Sequence, residues 1–465
     1  MMTGDEYKKS LVDGRATYYK GQRVLSLPDH PVLGPVVDRL AAEYDRFAEA
    51  ASGGATSPLS VPRSAEELRA RIDERDDTSL LAHITSTCVM TLVTAAARLD
   101  SPAVSERVES FIEDAQRRDV RITECITDGK GDRALPPGAQ PDPDAYTRVV
   151  ERLPDGVVIR GAKLHITGAS LGHELLVMPT KAMKAGEEDY AITCVVPVSA
   201  EGVKIVDTLN NPYPGDEESY PFSSRNYFPE GFVIFDDVFV PHDRVFLDGG
   251  TREASVFAHS LGLWERAGGL SVLAERSEVL VGLAHLAAEA NGLLKVPHIK
   301  DKLSGLMLQA TLIRSALDSA ITHCKVGIGG AVFPDELYTN AGKLYGASHY
   351  NDMTREVWDI CGGSLATAPL VSDLANEDVG PLIRKHMRGA VDGEYRLRLL
   401  LAIRDVTALN YGSWRAITAL QSGGGLHAQR TVLRKHYDID AAREKALGLI
   451  GLSAPRSGVT PPTMP

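Results

Sequence analysis

The chain has 465 residues, of which 43% are apolar and 24% are charged, a composition typical of a globular protein of two or three domains. The net charge of −12, with no run of basic residues, argues against a general nucleic-acid binder, because nothing would offset phosphate repulsion. Five scattered cysteines without a CxxC pair are typical of reduced thiols. With no eighteen-residue apolar run and a charged N-terminus, we expect a cytoplasmic protein without a membrane span.

Helical signals dominate residues 1–124. Thr3 and Glu6 have the spacing of a capping box, and apolar residues recur with a period near 3.6 from Val36 to Phe47. We predict an N-terminal α-helical domain over residues 1–124. Its further helices are expected from residue 64, over residues 78–99 and over residues 101–118, with a loop over residues 53–62.

The sequence pattern changes from helical to β-type over residues 125–250, where short β-type runs alternate with Pro, Gly, Asn and Asp. This spacing predicts a small sheet or barrel. The predicted strands lie at residues 157–159, 175–178, 190–196, 203–206 and 232–235.

The helical pattern returns over residues 251–465. Four long apolar-periodic segments predict a four-helix bundle, followed by a Pro-rich tail, residues 453–465, that we expect to be mobile. The four segments are residues 274–290, 298–325, 336–360 and 394–418.

Two Gly-rich segments could approach an anionic group. DGKGDR, residues 128–133, offers backbone N–H groups and cations, although the same pattern also suits a solvated turn. GGGLH, residues 423–427, permits close backbone approach near a helix start and suits a pyrophosphate, but it also suits a helix cap and linker.

Several longer motifs occur in one order along the chain. They are GDEYKKSLVDGR from Gly4, DGKGDRALPPGAQPDPD from Asp128, GAKLHITGAS from Gly161, YPFSSR from Tyr220, VIFDDVFVPHDRV from Val233 and NGLLKVPHIKDKL from Asn291. With them the chain resembles the acyl-CoA dehydrogenase-like flavoproteins, in the branch that holds the large component of 4-hydroxyphenylacetate 3-monooxygenase and 4-hydroxybutyryl-CoA dehydratase. The resemblance implies a mainly helical α+β fold, with an N-terminal helical domain, a central β-barrel and a C-terminal four-helix bundle.

The resemblance also implies FAD and a homo-oligomer, a dimer or tetramer. By the same resemblance, Gly423 and the four residues after it would contact the phosphate or ribityl part of the flavin. The implied flavin-binding residues are Glu124, Cys125, Ile126, Thr127, Lys130, Gly131, Asp132, Arg133, Thr167, Gly424, Gly425, Leu426 and His427.

The chain departs from the dehydratase at its metal ligands. That enzyme holds an iron–sulfur cluster with three Cys and one His. The helix that would supply two cysteines here has only Cys88, and residues 263–272 contain neither Cys nor His. Without a thiolate set we expect no metal cluster.

The chain departs from the monooxygenase at its substrate residues. The position of that enzyme's substrate histidine is Glu124 here, and the neighbouring helix offers His83, Thr85 and Thr87 in place of an Arg and a Tyr. A carboxylate there would repel a phenolate, and it could accept a proton or pair with a cationic or N–H-bearing substrate.

We therefore expect an FADH2-dependent, two-component monooxygenase. A separate flavin reductase would supply FADH2, and a flavin C4a-hydroperoxide would hydroxylate a small aromatic, heteroaromatic or amine substrate. Thr167 and residues 130–133 would lie near the flavin, while Glu124 and His165 would orient the substrate. The lack of a GxGxxG motif after a strand fits an enzyme that binds no NAD(P)H.

Two other functions remain open on sequence. A cluster-free lyase, isomerase or dehydrogenase could use FAD on an acyl-CoA-type substrate, with Glu230 as its base, and an inactive flavoprotein scaffold is the third. Simpler interpretations also exist for single residues: a satisfied strand histidine for His165, a surface charge for Glu230 and a small buried residue for Cys125.

Overall fold

The computed structural model describes residues 1–51, 57–73, 80–209 and 216–452. Across them, helices, then strands, then helices follow one another, which confirms a mainly helical α+β chain. Predictions for residues 53–54, for the helix start at Thr78 and for the tail from Ser453 lie outside the described residues.

The N-terminal helices lie close to where the sequence predicts them. The capping box is present, because Thr3 Oγ1 accepts the N–H of Glu6 at 3.3 Å and Glu6 Oε2 accepts the N–H of Thr3 at 2.7 Å. The helices are α1 Gly4–Ser10, α2 Gly34–Ala51, α3 Ala65–Asp73, α4 Leu80–Leu99 and α5 Pro102–Arg118.

A hairpin interrupts this helical segment, so the prediction of an all-helical N-terminal part is wrong. Strands β1 (Ala16–Tyr19) and β2 (Gln22–Val24) pair across a two-residue turn in which Lys20 and Gly21 have φ of 49° and 78°. Two positive φ values match the twist of an antiparallel hairpin. The hairpin extends the central sheet, and its Tyr19 and Val24 also pack on the apolar cluster of α1 and α2.

Helix α4 is the most apolar of the described helices. By length and composition it could cross a membrane, with a mean hydropathy of 1.6 over an 18-residue window, which differs from the expectation that no apolar run is long enough. That window is 78% buried inside the protein, against α5, α6 (Ala254–Ala290) and strand β3 (Ile122–Cys125). In this fold α4 is therefore a core helix.

The central strands form two sheets and no closed barrel in the part of the chain that the structure describes. The six-stranded sheet has the order β2-β1-β8-β9-β5-β4, and the four-stranded sheet has the order β10-β7-β6-β3. One apolar core, with Val157 and Phe235 from the first sheet and Leu175 and Cys194 from the second, holds them face to face. The remaining central strands are β4 Arg148–Leu153, β5 Gly156–Thr167, β6 Glu174–Val177, β7 Ile192–Pro197, β8 Val203–Thr208, β9 Glu230–Pro241 and β10 Val245–Asp248.

The C-terminal helices pack around α6, which contacts both α7 and α8. Three of the four predicted long helices are present, but the fourth, residues 394–418, is broken after Thr407 into α11 and α12. The elements are α7 Pro297–Thr322, β11 Lys325–Val326, β12 Val332–Phe333, α8 Glu336–Cys361, α9 Ser364–Thr367, α10 Gly380–His386, α11 Gly393–Thr407, α12 Asn410–Gln421, α13 Leu426–His436 and α14 Ile439–Ile450.

Asp405 explains the break between α11 and α12. Its fully buried carboxylate accepts the backbone N–H groups of Phe222 at 2.7 Å and Ser223 at 2.9 Å, and also the Ser223 hydroxyl. Ser223 Oγ in turn accepts the N–H of Tyr411 at 3.1 Å, near the start of α12. The loop before β9 thus caps a new helix, and α12 takes its own direction.

A second buried carboxyl joins the N-terminal segment to the sheet. Arg15 donates to the carbonyls of Ser170 at 2.7 Å and Gly172 at 2.9 Å, and Ser170 Oγ donates to Asp207 Oδ2 on β8. Burial, and then the charge of Glu230, raise the pKa of Asp207 to about 7, although Ser170 and Arg15 act in the opposite direction.

Replacing Asp405 with Asn should destabilise the protein by about 2–4 kcal/mol, because an amide cannot accept all three hydrogen bonds that reach the carboxylate. Urea denaturation gives this free energy of unfolding. The matched control is Asp378→Asn, since Asp378 is exposed. If the two variants unfold at the same urea concentration, Asp405 does not hold the loop.

Replacing Asp207 with Asn should flatten the pH dependence of stability between pH 4 and 7. The unfolded carboxyl loses its proton near its ordinary pKa of 3.8, whereas the folded one keeps it to about 7. The wild type therefore loses stability as the pH rises through this window, by up to about 4 kcal/mol, and the variant lacks that loss. Urea denaturation at pH 4, 5.5 and 7 measures it, and parallel profiles for both proteins would refute the assignment.

Candidate functional site

An inner cavity of about 140 Å³ lies where helices α4, α6 and α12 meet strands β3 and β5. Glu124 and Thr167 line it, as do Glu265 from α6 and Trp414 from α12. Two residues that the sequence selects are thus brought together, with partners that lie far away in the chain.

The side chains of Glu124 and Glu265 are hydrogen-bonded to each other in this cavity. Burial, and then the adjacent charge of Glu265, raise the pKa of Glu124 well above its ordinary value. Arg133 lies exposed on its loop and forms no described ion pair with Glu124.

Glu230 is part of the same site and is not a surface charge. Its Oε2 accepts the Thr167 hydroxyl at 2.8 Å, and its Oε1 accepts the Trp414 indole N–H at 3.2 Å. Burial raises its pKa, and both hydrogen bonds oppose that rise. The link between these two residues follows from the antiparallel pairing of β5 with β9, which places Thr167 opposite Glu230. Predicting that the two strands pair would have been enough to bring Glu230 into the site.

A buried ion pair holds the loop that carries the cationic motif. Lys163 Nζ lies 2.7 Å from Asp128 Oδ1, and it also donates to the carbonyls of Ile126 at 3.1 Å and Met178 at 2.7 Å. The backbone N–H of Thr147 donates to the same Asp128 oxygen at 2.9 Å. These buried contacts fix the conformation of the loop, so the loop is not a freely solvated turn.

The cations of this loop remain available to an anion. Lys130 and Arg133 form no ion pair among the described residues, and Arg133 is exposed. Burial, and then the charge of Arg133, lower the pKa of Lys130, which shows that the two cations lie within electrostatic reach of each other. Gly131 and Asp132 lie between them, and the Asp132 N–H donates to Gln140 at 2.9 Å.

The segment from Gly423 links α12 to α13. It follows the end of α12 and leads directly into the first turn of α13. Gly423 and Gly424 have φ of 72° and 90°, which glycine adopts without strain, and Arg266 Nε donates to the Gly423 carbonyl at 2.9 Å. Gly425 caps α13 without a side-chain hydrogen bond. Backbone N–H groups at this start, including those of Leu426 and His427, are therefore available to an anion.

The remaining predicted residues differ in their access to the cavity. Cys125 is fully buried between the sheets, and burial raises the pKa of its thiol well above the ordinary value, which suits a small core residue. Ile126 and Thr127 are half-buried beside Asp128. His165 is exposed with a φ of 60° in a bulge of β5 and lines neither cavity, so its role in orienting a substrate stays a prediction.

An outer cavity of about 460 Å³ adjoins the inner one, and sequence reasoning missed it. Leu80, Trp414 and Arg415 line both cavities. Aromatic rings and arginines dominate the outer walls, which come from α2, α12 and the YPFSSR loop. They include Arg39, Phe222, Arg225, Tyr227, Phe228 and Tyr411. These segments are distant in sequence, and only the fold brings them together.

The arrangement fits a bound flavin nucleotide. The Lys130–Arg133 loop supplies cations, and the segment at Gly424 supplies a close backbone approach with free N–H groups. Thr167, Glu124 and Glu265 line a partly apolar cavity.

Relatives of two reaction classes match most of the length of this chain. It is 27% identical to the 4-hydroxybutyryl-CoA dehydratase/vinylacetyl-CoA-Delta-isomerase of Clostridium aminobutyricum, over 97% of this chain and 100% of that one. It is 28% identical to the 4-hydroxyphenylacetate 3-monooxygenase oxygenase component of Thermus thermophilus, over 88% of this chain and 89% of that one.

Solved structures show the same fold. An archaeal 4-hydroxybutyryl-CoA dehydratase from N. maritimus superposes with a TM-score of 0.85 at 25% identity, over 98% of this chain and 96% of that one. The oxygenase component of 4-hydroxyphenylacetate 3-monooxygenase, complexed with FAD, superposes with a TM-score of 0.84 at 23% identity, over 97% and 98% of the two chains.

The family match covers nearly the whole chain. Residues 3–247 match the 4-hydroxyphenylacetate 3-hydroxylase N-terminal family, and residues 254–451 match the corresponding C-terminal family. The motifs, the fold and these matches agree, and the chain belongs to the 4-hydroxyphenylacetate 3-hydroxylase family.

Proposed function

We propose that this protein is the oxygenase component of a two-component, FADH2-dependent monooxygenase that hydroxylates a small aromatic, heteroaromatic or amine substrate. The observation that carries the proposal is the inner cavity, which Glu124, Glu265 and Thr167 line together. The similarity to a 4-hydroxyphenylacetate 3-monooxygenase oxygenase component, over 88% of this chain, supports it. A separate flavin reductase and a small-molecule substrate are the partners that this function requires.

The cofactor of this proposal is FAD. When bound as FADH2, it supplies the activation of molecular oxygen. Lys130, Arg133 and the N–H groups at the start of α13 would hold its charged part, and Thr167 would lie beside its ring system. FAD in the neighbouring structure of the same fold supports this choice.

The residues of the chain have distinct tasks in the proposed reaction. Glu230 fixes the Thr167 hydroxyl and the Trp414 indole, so the wall of the cavity is ordered before substrate enters. Apolar side chains, among them Leu80 and Leu273, exclude water from the cavity. Burial raises the pKa of Glu124, which suits its carboxyl group to exchange a proton with a substrate that carries an N–H or O–H group.

A second function has one specific observation in its favour. The arginines of the outer cavity, Arg39, Arg225 and Arg415, form the basic surface that an acyl-CoA-type substrate would need. Glu230 would then act as base in a cluster-free lyase, isomerase or dehydrogenase, and the dehydratase relative supports it. The described residues contain no group of three His, Cys, Asp or Glu side chains placed to hold a metal, so a cluster-dependent route is not proposed.

We also propose that the chain forms a homo-oligomer. No residue of α14 is buried, and its Ile439, Leu449 and Ile450 are 60%, 88% and 61% exposed. An apolar helix face of this kind is stabilised when another surface covers it. Sedimentation equilibrium of the full chain distinguishes a dimer from a tetramer, and a monomer at micromolar concentration would refute the proposal.

Anaerobic stopped-flow absorbance tests the proposed function directly. Protein loaded with photoreduced FAD, mixed with oxygenated buffer, should show a transient near-ultraviolet absorbance unlike that of reduced or oxidised flavin. Thr167→Val should shorten the lifetime of this transient about tenfold, because it removes the hydrogen bond to Glu230 that orders the cavity wall, and one such bond is worth about 1–1.5 kcal/mol.

Thr311→Val, an exposed change on α7, is the matched control and should leave the lifetime unchanged. Direct return to oxidised flavin, combined with tight binding of oxidised FAD and turnover of CoA esters, would replace the monooxygenase by the acyl-CoA-type function.

A further inference from the structure

We propose that Lys181, on the loop that follows β6, joins Lys130 and Arg133 in a site for the diphosphate group of a nucleotide. Two nucleotides of the functions proposed above, FAD and a CoA ester, carry this group. The inference rests on the proposed function only for the choice between them. It adds a residue that no sequence motif marks, because Lys181 lies outside the Gly-rich loop.

The two loops that carry these cations are held by the same buried carboxylate, that of Asp128. The Thr180 hydroxyl accepts the backbone N–H of Asp128 at 3.1 Å and also contacts the Asp128 carboxylate. The same hydroxyl lies 2.9 Å from the Ile126 carbonyl oxygen. Lys181 follows Thr180 directly, and Lys130 comes two residues after Asp128. Asp128 therefore fixes the position of one cationic loop relative to the other.

Both loops also contact the segment at Tyr146. Lys181 Nζ lies 5.3 Å from the centre of the Tyr146 ring, and the backbone N–H of Lys130 donates to the Ala145 carbonyl at 3.1 Å. Burial raises the pKa of Tyr146, and the charge of Arg133 opposes that rise, so Arg133 is within electrostatic reach of the same ring. All three cations thus lie around residues 145 and 146.

The three cations have no acidic partner. None of Lys130, Arg133 and Lys181 forms an ion pair among the described residues. Burial, and then the charge of Arg133, lower the pKa of Lys130, and Lys181 acts in the same direction, although Asp128 opposes them. Like charges that are held together without a counter-charge are unfavourable, so an anion that joins all three is bound more strongly than at a single lysine.

The acidic side chains nearby already accept other hydrogen bonds. Glu187 Oε2 accepts the backbone N–H of Lys184 at 2.8 Å, and Asp132 Oδ1 accepts that of Ala134 at 2.9 Å. Asp128 is bound in its buried ion pair. In a chain with a net charge of −12, a group of cations that leaves these acids to other donors is suited to an external anion.

Uncharged donors complete the site. Tyr146 is only 3% exposed, and its hydroxyl has no hydrogen-bond partner among the described residues. The backbone N–H groups of Gly131 and Arg133 have no partner there either. Gln140 holds this stretch in place, because its Nε2 donates to the Asp132 carbonyl at 2.7 Å and its Oε1 accepts the Asp132 N–H at 2.9 Å. A diphosphate has more negative charge and more acceptor oxygens than a carboxylate, and it therefore matches this set of donors better.

Flavin fluorescence titrations of the full chain test the inference. FAD, FMN and riboflavin share one ring system but carry a diphosphate, a monophosphate and no phosphate. In Lys181→Met, affinity for FAD should fall at least about tenfold, because a charge-assisted hydrogen bond is lost, and affinity for riboflavin should not change. Added sodium chloride should weaken FAD binding more steeply in the wild type than in this variant.

Two further variants separate the donors of the site. Lys184→Met is the matched control, because Lys184 is exposed on the same loop and is not among the groups that act on Lys130. It should leave the FAD affinity unchanged. Tyr146→Phe keeps the ring that packs 6.5 Å from the Tyr190 ring and removes only the hydroxyl, so FAD affinity should fall about threefold to tenfold.

Isothermal titration with CoA distinguishes the two sources of the diphosphate. A loss of CoA affinity in Lys181→Met, with FAD affinity unchanged, would keep the site and assign it to the acyl-CoA-type function. The inference is overturned if Lys181→Met weakens neither FAD nor CoA, or weakens riboflavin as much as FAD. A selective loss of FAD affinity in this variant, in a protein whose wild type shows no oxygen-dependent transient, would leave the inference standing and refute the monooxygenase function.

Discussion

The buried ion pair of Lys163 and Asp128 is the contact on which the site depends. Both side chains are almost completely buried, at 1% and 2% exposure. Charges in such a place are tolerated only when their remaining hydrogen bonds are satisfied. The carbonyls of Ile126 and Met178 and the N–H of Thr147 satisfy them. The pair therefore joins β5, the end of β6 and the cationic loop into one rigid unit.

Other buried carboxyl groups extend this unit to the helices. Asp405 at the end of α11 holds the YPFSSR loop through its backbone N–H groups and so directs α12. Glu230 at the start of β9 binds Trp414 of α12 and Thr167 of β5. The sheets and the C-terminal helices thus meet through hydrogen bonds that have direction, whereas apolar packing alone would leave the angle of α12 loosely determined.

Local signals predict most of this fold, because they depend on neighbours in sequence. The capping box at Thr3, the acidic first turn of α3 and the Asp155–Gly156 turn before β5 are all read from a few residues. The break after Thr407 could not be predicted, because helical periodicity continues through it and the cause is a loop that lies 182 residues before Asp405 at Ser223. The β1–β2 hairpin was missed for a related reason: its strands are short, and their partner, β8, is distant in sequence.

The candidate site shows the same division between local and long-range signals. Glu124, Thr167 and the loop at Lys130 were found from motifs and from a departure from the family pattern. Glu265 was not, because a glutamate inside an apolar helix has no local pattern that reveals a partner on another strand. Arg39 and Trp414 were missed for the same reason, since the outer cavity exists only where α2, α12 and the YPFSSR loop meet.

Because the relatives belong to two enzyme classes, the reaction of this chain has to be inferred from the residues of its cavity. Identities of 27% and 28% to a dehydratase and to an oxygenase component preserve the fold without selecting a reaction. What this chain places in the cavity is Glu124 from β3 beside Glu265 from α6. Burial, and then the charge of Glu265, raise the pKa of Glu124, and a buried carboxyl group costs less free energy in its neutral form than in its charged form. The position of the pair between a strand and a helix therefore fixes its chemistry, which neither segment alone determines.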